Sequence, residues 1–357
     1  MPFFSIDCGG SVSVVATAPG KLVLLGEYAV LEGATSLVAA VDRRARVLVV
    51  SGGRGLVVVA PDIGVKRAVA DLDGDRVVWQ DDVDHAAGMR LSVFDACVRC
   101  VVRRLGTMGP MTLTIETSEF IAGDIKLGIG SSAAVATAVT GALLAAGGVD
   151  VTSADFRRVV FEVSLEAHAL AQGGLGSGID VAASTFGGVL EFVRGEIPES
   201  SGRKIPIGLE LICVWSGFAA VTSTMVGEVK RFAALEPDIY RDLLDSLTRV
   251  AKNGCEACAT GDVPALMAAV TQYADGLRQL GLAVGVDIVS ESHQYIGEVV
   301  CAHGGVYKPS GAGGGDLGVA FAESGVAEQI RAALRAEGFV VLPMQFGTNG
   351  VEVTCHE

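Results

Sequence analysis

The sequence predicts a chain of mixed strands and helices divided into two units, and three observations carry that expectation. Its 357 residues are enough for two hydrophobic cores. Strand-like and helix-like stretches alternate, but the second half lacks the regular strand–helix–strand rhythm of a doubly wound sheet. A polar stretch with two prolines at 196–206 interrupts the pattern near the middle. It is the expected junction, between residues 1–204 and 205–357.

In chain order, 12–18 reads as a strand that Pro19-Gly20 breaks, and 34–51 as strands with a charged interruption at 42–46. Turn chemistry at 52–55 and 71–75 separates further β-rich runs. The stretch 91–105 has helical periodicity with arginines outside, and 111–116 alternates Thr with apolar residues as a strand does. An Ala/Val/Leu/Thr run, 135–146, reads as a buried helix. A longer helix is expected at 153–171, capped by Ser153, with a short one at 181–184 and a strand at 187–193. Beyond the junction, strands are expected at 209–215, 317–322, 340–342 and 350–354. Helices are expected at 224–235, 240–260, 263–280, 286–302 and 326–337.

Composition narrows the function. Half of the residues are hydrophobic and 19% are charged, as in globular chains. A net charge of −14 argues against nonspecific binding to nucleic acid or to an anionic membrane. It leaves room for a small anionic substrate, because a few converging lysines and helix N-termini set the local potential. No apolar run reaches the length of a membrane span, and no basic region precedes an apolar core at the N-terminus, so a cytoplasmic location is expected. Cys97 with Cys100, and Cys255 with Cys258, have the spacing of zinc ligands. Both pairs fall in helical patterns, where buried free thiols are the simpler reading.

The strongest chemical signal is Lys126-Leu-Gly128-Ile-Gly130-Ser131-Ser132-Ala133-Ala134, a glycine-rich turn that opens onto the buried helix. Glycines let a backbone approach a ligand closely. The first N–H groups of a helix have no internal partner and sit at the positive end of its dipole. Together these make a phosphate cradle, with Ser131 and Ser132 placed to cap the helix or to reach a phosphate-bound Mg²⁺. Taken alone, the turn could equally be an N-cap with flexible glycines.

Three other stretches change the balance. Pro19-Gly20-Lys21 puts a cation just after a strand. Gly176-Ser177-Gly178-Ile179-Asp180 puts a carboxylate at the start of a short helix. Ser310-Gly311-Ala312-Gly313-Gly314-Gly315-Asp316 is a second backbone concavity. Phosphoryl transfer needs a cradle, Mg²⁺, a cation for the charge in flight and a group that orients or deprotonates the attacking oxygen. Asp180 is the candidate base and Lys21 its neighbour, since a lysine beside an aspartate favours the carboxylate's charged form. The glycine spacing at 174–178 follows a helix rather than a strand, which counts against a dinucleotide site, and there is no Gly-x-x-x-x-Gly-Lys-Ser/Thr.

Ala18-Pro-Gly-Lys21 through Gly26-Glu27-Tyr28, the Lys126–Ala134 turn and Ser310–Asp316 together resemble, in order, the three signature motifs of the GHMP kinase superfamily. That superfamily comprises galactokinase, homoserine kinase, mevalonate kinase and phosphomevalonate kinase. The resemblance spans nearly the whole chain. It implies an α+β fold of two domains, the N-terminal one like the second domain of ribosomal protein S5 and the C-terminal one ferredoxin-like. It also implies ATP and Mg²⁺ as cofactors. Within the superfamily, Lys126, Ala167-His168, Ala171-Gln172-Gly173, Gly176–Asp180 and Lys308–Asp316 are most similar to the phosphomevalonate kinase family, whereas Gly26-Glu27-Tyr28 looks more like mevalonate kinases.

By that likeness Asp180 and Lys21 are catalytic. Lys126, Gly128, Gly130, Ser131, Ser132 and Ala133 bind the ATP phosphates. Ser177, Gly178, Ser223, Thr224, Lys308, Ser310, Gly311, Ala312, Gly313 and Gly314 surround the substrate, and Ser132 with Glu166 holds the metal. The expected reaction is phosphorylation of 5-phosphomevalonate to its diphosphate by a monomer or homodimer. A mevalonate or sugar kinase, a decarboxylase of the superfamily and a silent ligand sensor stay open. Lys21 counts against the decarboxylase, and the intact motifs count against the sensor.

Overall fold

Two sheets organise the chain. The computed structural model describes residues 13–80, 83–123, 125–174, 176–195, 199–220 and 222–356. The first sheet uses β1 (Ser13–Leu25), β2 (Ser36–Ser51), β3 (Leu56–Ala60), β4 (Val65–Asp73), β5 (Arg76–Trp79) and β6 (Met111–Glu116). A two-residue ladder follows, β7 (Ile121–Ala122) with β8 (Ile125–Lys126), and then β9 (Val189–Val193) and β10 (Glu199–Arg203) extend the sheet. The second sheet holds β11 (Leu209–Trp215), β12 (Val306–Pro309), β13 (Leu317–Glu323) and β14 (Val340–Leu342), in the order β12-β13-β11-β14. The last strand, β15 (Glu352–His356), returns to the first sheet and pairs antiparallel with β1.

Ten α-helices occur among the described residues. Between β5 and β6 lie α1 (His85–Arg90) and α2 (Ser92–Leu105); between β8 and β9 lie α3 (Ser131–Ala146), α4 (Phe156–Ala171) and α5 (Ile179–Phe186). After β11 come α6 (Thr222–Leu235), α7 (Pro237–Thr260), α8 (Val263–Val284) and α9 (Glu291–Ala302), and α10 (Ser324–Ala336) follows β13. None of the helices described is long and apolar enough to cross a membrane. Helix α3 packs against β1, β2, α2, α4 and α5, and its residues from Ala133 to Ala145 are buried except Val135. Small side chains allow that close approach, so hydrophobic burial fixes the position of its N-terminus.

The structure departs from the sequence reading at several boundaries. Pro19-Gly20 does not end β1. The strand continues through a register shift between Pro19 and Gly20, and β15 pairs only with Ser13–Thr17, so the missing Pro19 donor falls where that ladder has stopped. Helix α4 begins at Phe156, not Ser153; the Ser153 hydroxyl instead accepts from Asp155 N–H in the preceding turn. Helix α9 begins at Glu291 behind the Ser290 cap. The polar stretch 196–206 is not all linker, because residues 199–203 form β10 against β9, while 196–198 lie outside the described residues.

One core runs through both sheets, joining β1 residues such as Leu25 to α7 and α8 residues such as Leu247 and Tyr273. At the end of β1, Glu27 and Lys308 form a fully buried ion pair. Tyr273 Oη donates to Glu27 O at 2.7 Å, Lys308 Nζ donates to Pro309 O at 2.6 Å, and Tyr28 Oη donates to Ala312 O at 2.5 Å. Burial raises the Glu27 carboxyl and lowers the Lys308 ammonium, and their mutual attraction opposes both shifts. Removing one partner strands the other charge away from water. Lys308→Met is therefore expected to lower unfolding free energy by about 3–5 kcal/mol, and Glu27→Gln/Lys308→Met to recover most of it, as measured by urea denaturation. A single variant as stable as the parent would contradict this.

Candidate active site

The buried helix α3 presents its N-terminus to a cleft. Gly130 precedes it in a left-handed conformation (φ 76°), and no side chain among the described residues caps it. The outward amides of Ser131, Ser132 and Ala133 are thus free for an anion. The turn is held from β1, where Lys21 N–H donates to Ile129 O at 2.9 Å. The Lys21 side chain then lies across Gly130, its Cε 3.1 Å from where a Cβ would stand. A second contact comes from the far end of the chain. The Asp316 carboxylate packs over Gly128 (φ 66°), its Cγ 2.7 Å from the position a Cβ would take. Burial raises the Asp316 carboxyl, while the Ala220 N–H and the charges of Lys126 and Lys21 oppose that shift. A cation pair and a carboxylate therefore surround the turn.

Lys21 also lines a cavity of about 510 Å³ together with Asp180, Ser177, Glu27, Gly311 and Ala312. Asp180 stands in the first turn of α5, where its Oδ1 accepts from Val181 N–H at 3.1 Å. The rest of the wall is mostly apolar: Val23, Val30, Leu31, Ile179 and Val226. On the other side of the turn a smaller cavity of about 170 Å³ is walled by Ala60, Leu91, Phe94, Ile115 and Val135, with Ser131 and Ser132 at its edge. The larger cavity thus has charged side chains on its wall, whereas the smaller slot at the helix N-terminus is mostly apolar, with Arg90 and Thr117 as its other polar side chains.

Ser132 Oγ lies 3.0 Å from His168 Nε2, and Gln172 Nε2 lies 3.1 Å from the same nitrogen. The Gln172 amide nitrogen can only donate, so the ring nitrogen is the acceptor, and the serine hydroxyl, where it bonds to the ring, shares that single lone pair as a second donor. That leaves the Ser132 oxygen lone pairs unused, as a metal ligand requires. Among the described residues no three His, Cys, Asp or Glu side chains cluster as a metal cage. One hydroxyl beside a phosphate cradle fits Mg²⁺, which takes few protein ligands and completes its shell with phosphates and water.

Glu166 does not join this site. It is exposed on the other face of α4 and pairs with Arg103 of α2 at 3.3 Å, because two residues along a helix turn the side chain nearly opposite to His168. Lys308 is likewise withdrawn from the cavity into its pair with Glu27. Ser310 is buried and donates to Val23 O at 3.0 Å. Gly178 packs on Leu165, while Gly313 and Gly314 pack on Ile288 and Met225, so these three shape the cleft from behind. Thr224 is exposed in α6, outside the cavity lining, and the Ser223 side chain lies outside the described residues. Tyr28, Gln172 and Lys230 line the cavity although no role was read for them from sequence. Lys230 shares a helical face with Val226 and Gly227, but nothing in the sequence marks that face as the one toward a cavity.

The third glycine loop is anchored from α9. Buried His293 contacts Gly315 O through Nε2 at 3.0 Å and Tyr307 Oη through Nδ1 at 2.7 Å. A carbonyl only accepts, so Nε2 carries the proton and the tyrosine hydroxyl donates to Nδ1. Burial pushes this imidazole down to about 4, the Gly315 carbonyl opposes the shift and the Lys308 charge adds to it.

Residues 92–188 match the family model "GHMP kinases N terminal domain". A phosphomevalonate kinase of Streptomyces sp. strain CL190 is 29% identical over 377 residues, covering 96% of this chain and 99% of that protein. A mevalonate kinase of Aeropyrum pernix is 30% identical over 251 residues, covering 70% of this chain and 72% of that protein. The fold is also similar to that of Streptococcus pneumoniae phosphomevalonate kinase in complex with phosphomevalonate and AMPPNP. There the TM-score is 0.77 at 20% identity, over 93% of this chain and 99% of the other.

The His293 anchor has a pH signature. Free imidazole titrates near 6.5, so between that value and about 4 the unfolded chain binds a proton that the fold excludes. Its contribution is complete above pH 6.5 and is lost as pH falls toward 4, by about 3 kcal/mol in all. Urea unfolding between pH 7 and 4.5 should show this slope, and His293→Gln should flatten it. An unchanged slope in the variant would contradict the assignment.

Proposed function

Because the chain belongs to the GHMP kinase family, we propose that it transfers the γ-phosphoryl group of ATP to 5-phosphomevalonate, giving the diphosphate used in isoprenoid synthesis. The observation that carries this reading is Lys21, which lies across the uncapped N-terminus of α3 and shares a cavity wall with Asp180. In this reading the adenine enters the apolar slot beside Phe94 and Val135, and the phosphates lie on the amides of 131–133 with Lys126 nearby. The roles of Lys21 and Asp180, the S5-like and ferredoxin-like division near residue 204 and a cytoplasmic monomer or homodimer belong to the same proposal.

Each part has a physical task. Lys21 stabilises the charge that develops on the phosphoryl group in flight, a contribution that positioned cations make without reorganising. Asp180 orients the attacking oxygen and receives a proton where the acceptor carries one. Glu27 lines the cavity, but its carboxylate is committed to the buried pair with Lys308, so it fixes the wall rather than meeting the acceptor. Bound Mg²⁺ neutralises the phosphate oxygens, and Ser132 would hold it.

Likeness over nearly the whole length of the Streptomyces enzyme supports the phosphorylated acceptor. The 30% identity to the Aeropyrum mevalonate kinase supports mevalonate as the second reading. ATP consumption measured with 5-phosphomevalonate, mevalonate and galactose separates them, with fastest turnover expected on 5-phosphomevalonate. Asp180→Asn should lower kcat about 100-fold or more without changing thermal unfolding. Turnover of mevalonate alone would replace the acceptor, and full activity of the variant would remove Asp180 from the chemistry.

A further inference from the structure

The large cavity has two cationic side chains on its wall, and only one of them stands at the phosphate turn. Lys21 acts on Lys308 and Asp316, so it belongs to the charge cluster around the turn. Lys230 is not among the charges acting on either group. It is carried by α6, which reaches the cleft through Met225 packed on Gly314. Lys230 forms no ion pair or hydrogen bond among the described residues, whereas its neighbour Glu228 is bound to Arg231 at 2.6 Å.

The helix face around it is shaped for an occupant. Val226, Gly227 and Lys230 line the cavity together, and a Cβ at Gly227 would meet nothing within 4 Å. A mid-helix glycine costs about 1 kcal/mol relative to alanine. Here it leaves open space beside the lysine, on the cavity side of α6. The remaining wall carries no other cation among the described residues: its polar side chains are Asp180, Ser177, Gln172, Tyr28 and the Glu27 already paired with Lys308, and the rest is apolar or glycine. The cavity therefore suits a short carbon skeleton with the reacting group at Lys21 and a separate anion at Lys230.

We infer that Lys230 reads the acceptor's carboxylate and that α6 sets acceptor specificity for acids over neutral alcohols. This rests on the proposed kinase reading but not on which acid is phosphorylated, since 5-phosphomevalonate and mevalonate both carry a carboxylate remote from the reacting oxygen. The ammonium contributes a charge-assisted hydrogen bond to the ground state and transition state alike, so it acts on KM rather than kcat.

The test compares the parent enzyme with Lys230→Met and Lys230→Arg, using both acids, their carboxylate methyl esters and galactose. Lys230→Met should raise the KM of whichever acid is turned over about tenfold or more, leave kcat within about twofold and leave the KM for ATP unchanged. Lys230→Arg should recover most of the loss. The methyl ester should be equally poor with the parent and with Lys230→Met, because the partner it lacks is the one the variant lacks. An ester penalty of the same size in both proteins, or a loss confined to kcat or to ATP, overturns the inference about Lys230. Turnover of mevalonate but not 5-phosphomevalonate removes the proposed acceptor and leaves Lys230 to be judged on mevalonate. Turnover confined to galactose overturns both.

Discussion

A single backbone hydrogen bond, Lys21 N–H to Ile129 O at 2.9 Å, sets the geometry on which the site depends. It joins the bulged part of β1 to the turn before α3. Because α3 is packed on nearly all sides, its N-terminus cannot move to meet a ligand, and the ligand must come to it. The bond places a lysine over the same turn, so a helix dipole and a full positive charge act on one spot. Neither would suffice alone, since an uncapped helix end attracts water and a surface lysine is screened by salt.

The second sheet contributes by closing the cleft. The end of β1 is tied to β12 and the third glycine loop by the Glu27–Lys308 pair, by Tyr28 on Ala312 and by Ser310 on Val23. These ties cost desolvation, yet they hold loops from opposite ends of the sequence in register. His293 and Tyr307 hold the same loop from behind at Gly315, next to the Asp316 that presses on Gly128. The two glycine loops therefore behave as one surface, although nearly two hundred residues separate them.

Much of this was legible in the sequence because it is local. The turn at 126–134 announces itself through glycine spacing and the apolar run that follows, and the periodic helices are present, although α4 and α9 start later than their sequence suggests. What was not legible depends on direction in space. Glu166, read from sequence as a metal ligand, lies two residues from His168, but the helix turns Glu166 toward Arg103 and His168 toward Ser132. Lys308 reads as a substrate contact until its burial against Glu27 is seen. Pro19 reads as a strand end because the sequence does not show that β15 stops pairing before it. Lys230 sits on a helix whose cavity-facing side is defined only once Gly314 and Met225 meet.

The chemistry follows from placement rather than from unusual groups. In the proposed reading, an anion cradle at the α3 N-terminus, Lys21 beside it and Asp180 in the same cavity supply the parts that phosphoryl transfer needs, and little covalent work is left to the protein. The most direct test of the central claim, that the α3 N-terminus is the phosphate cradle, is amide hydrogen exchange with and without a non-hydrolysable ATP analogue and Mg²⁺. Protection should rise in peptides covering 127–134 and in the slot-lining segment 90–94, while the outer face of α4 around Glu166 stays unchanged. Analogue binding with no added protection at 127–134 would contradict the account.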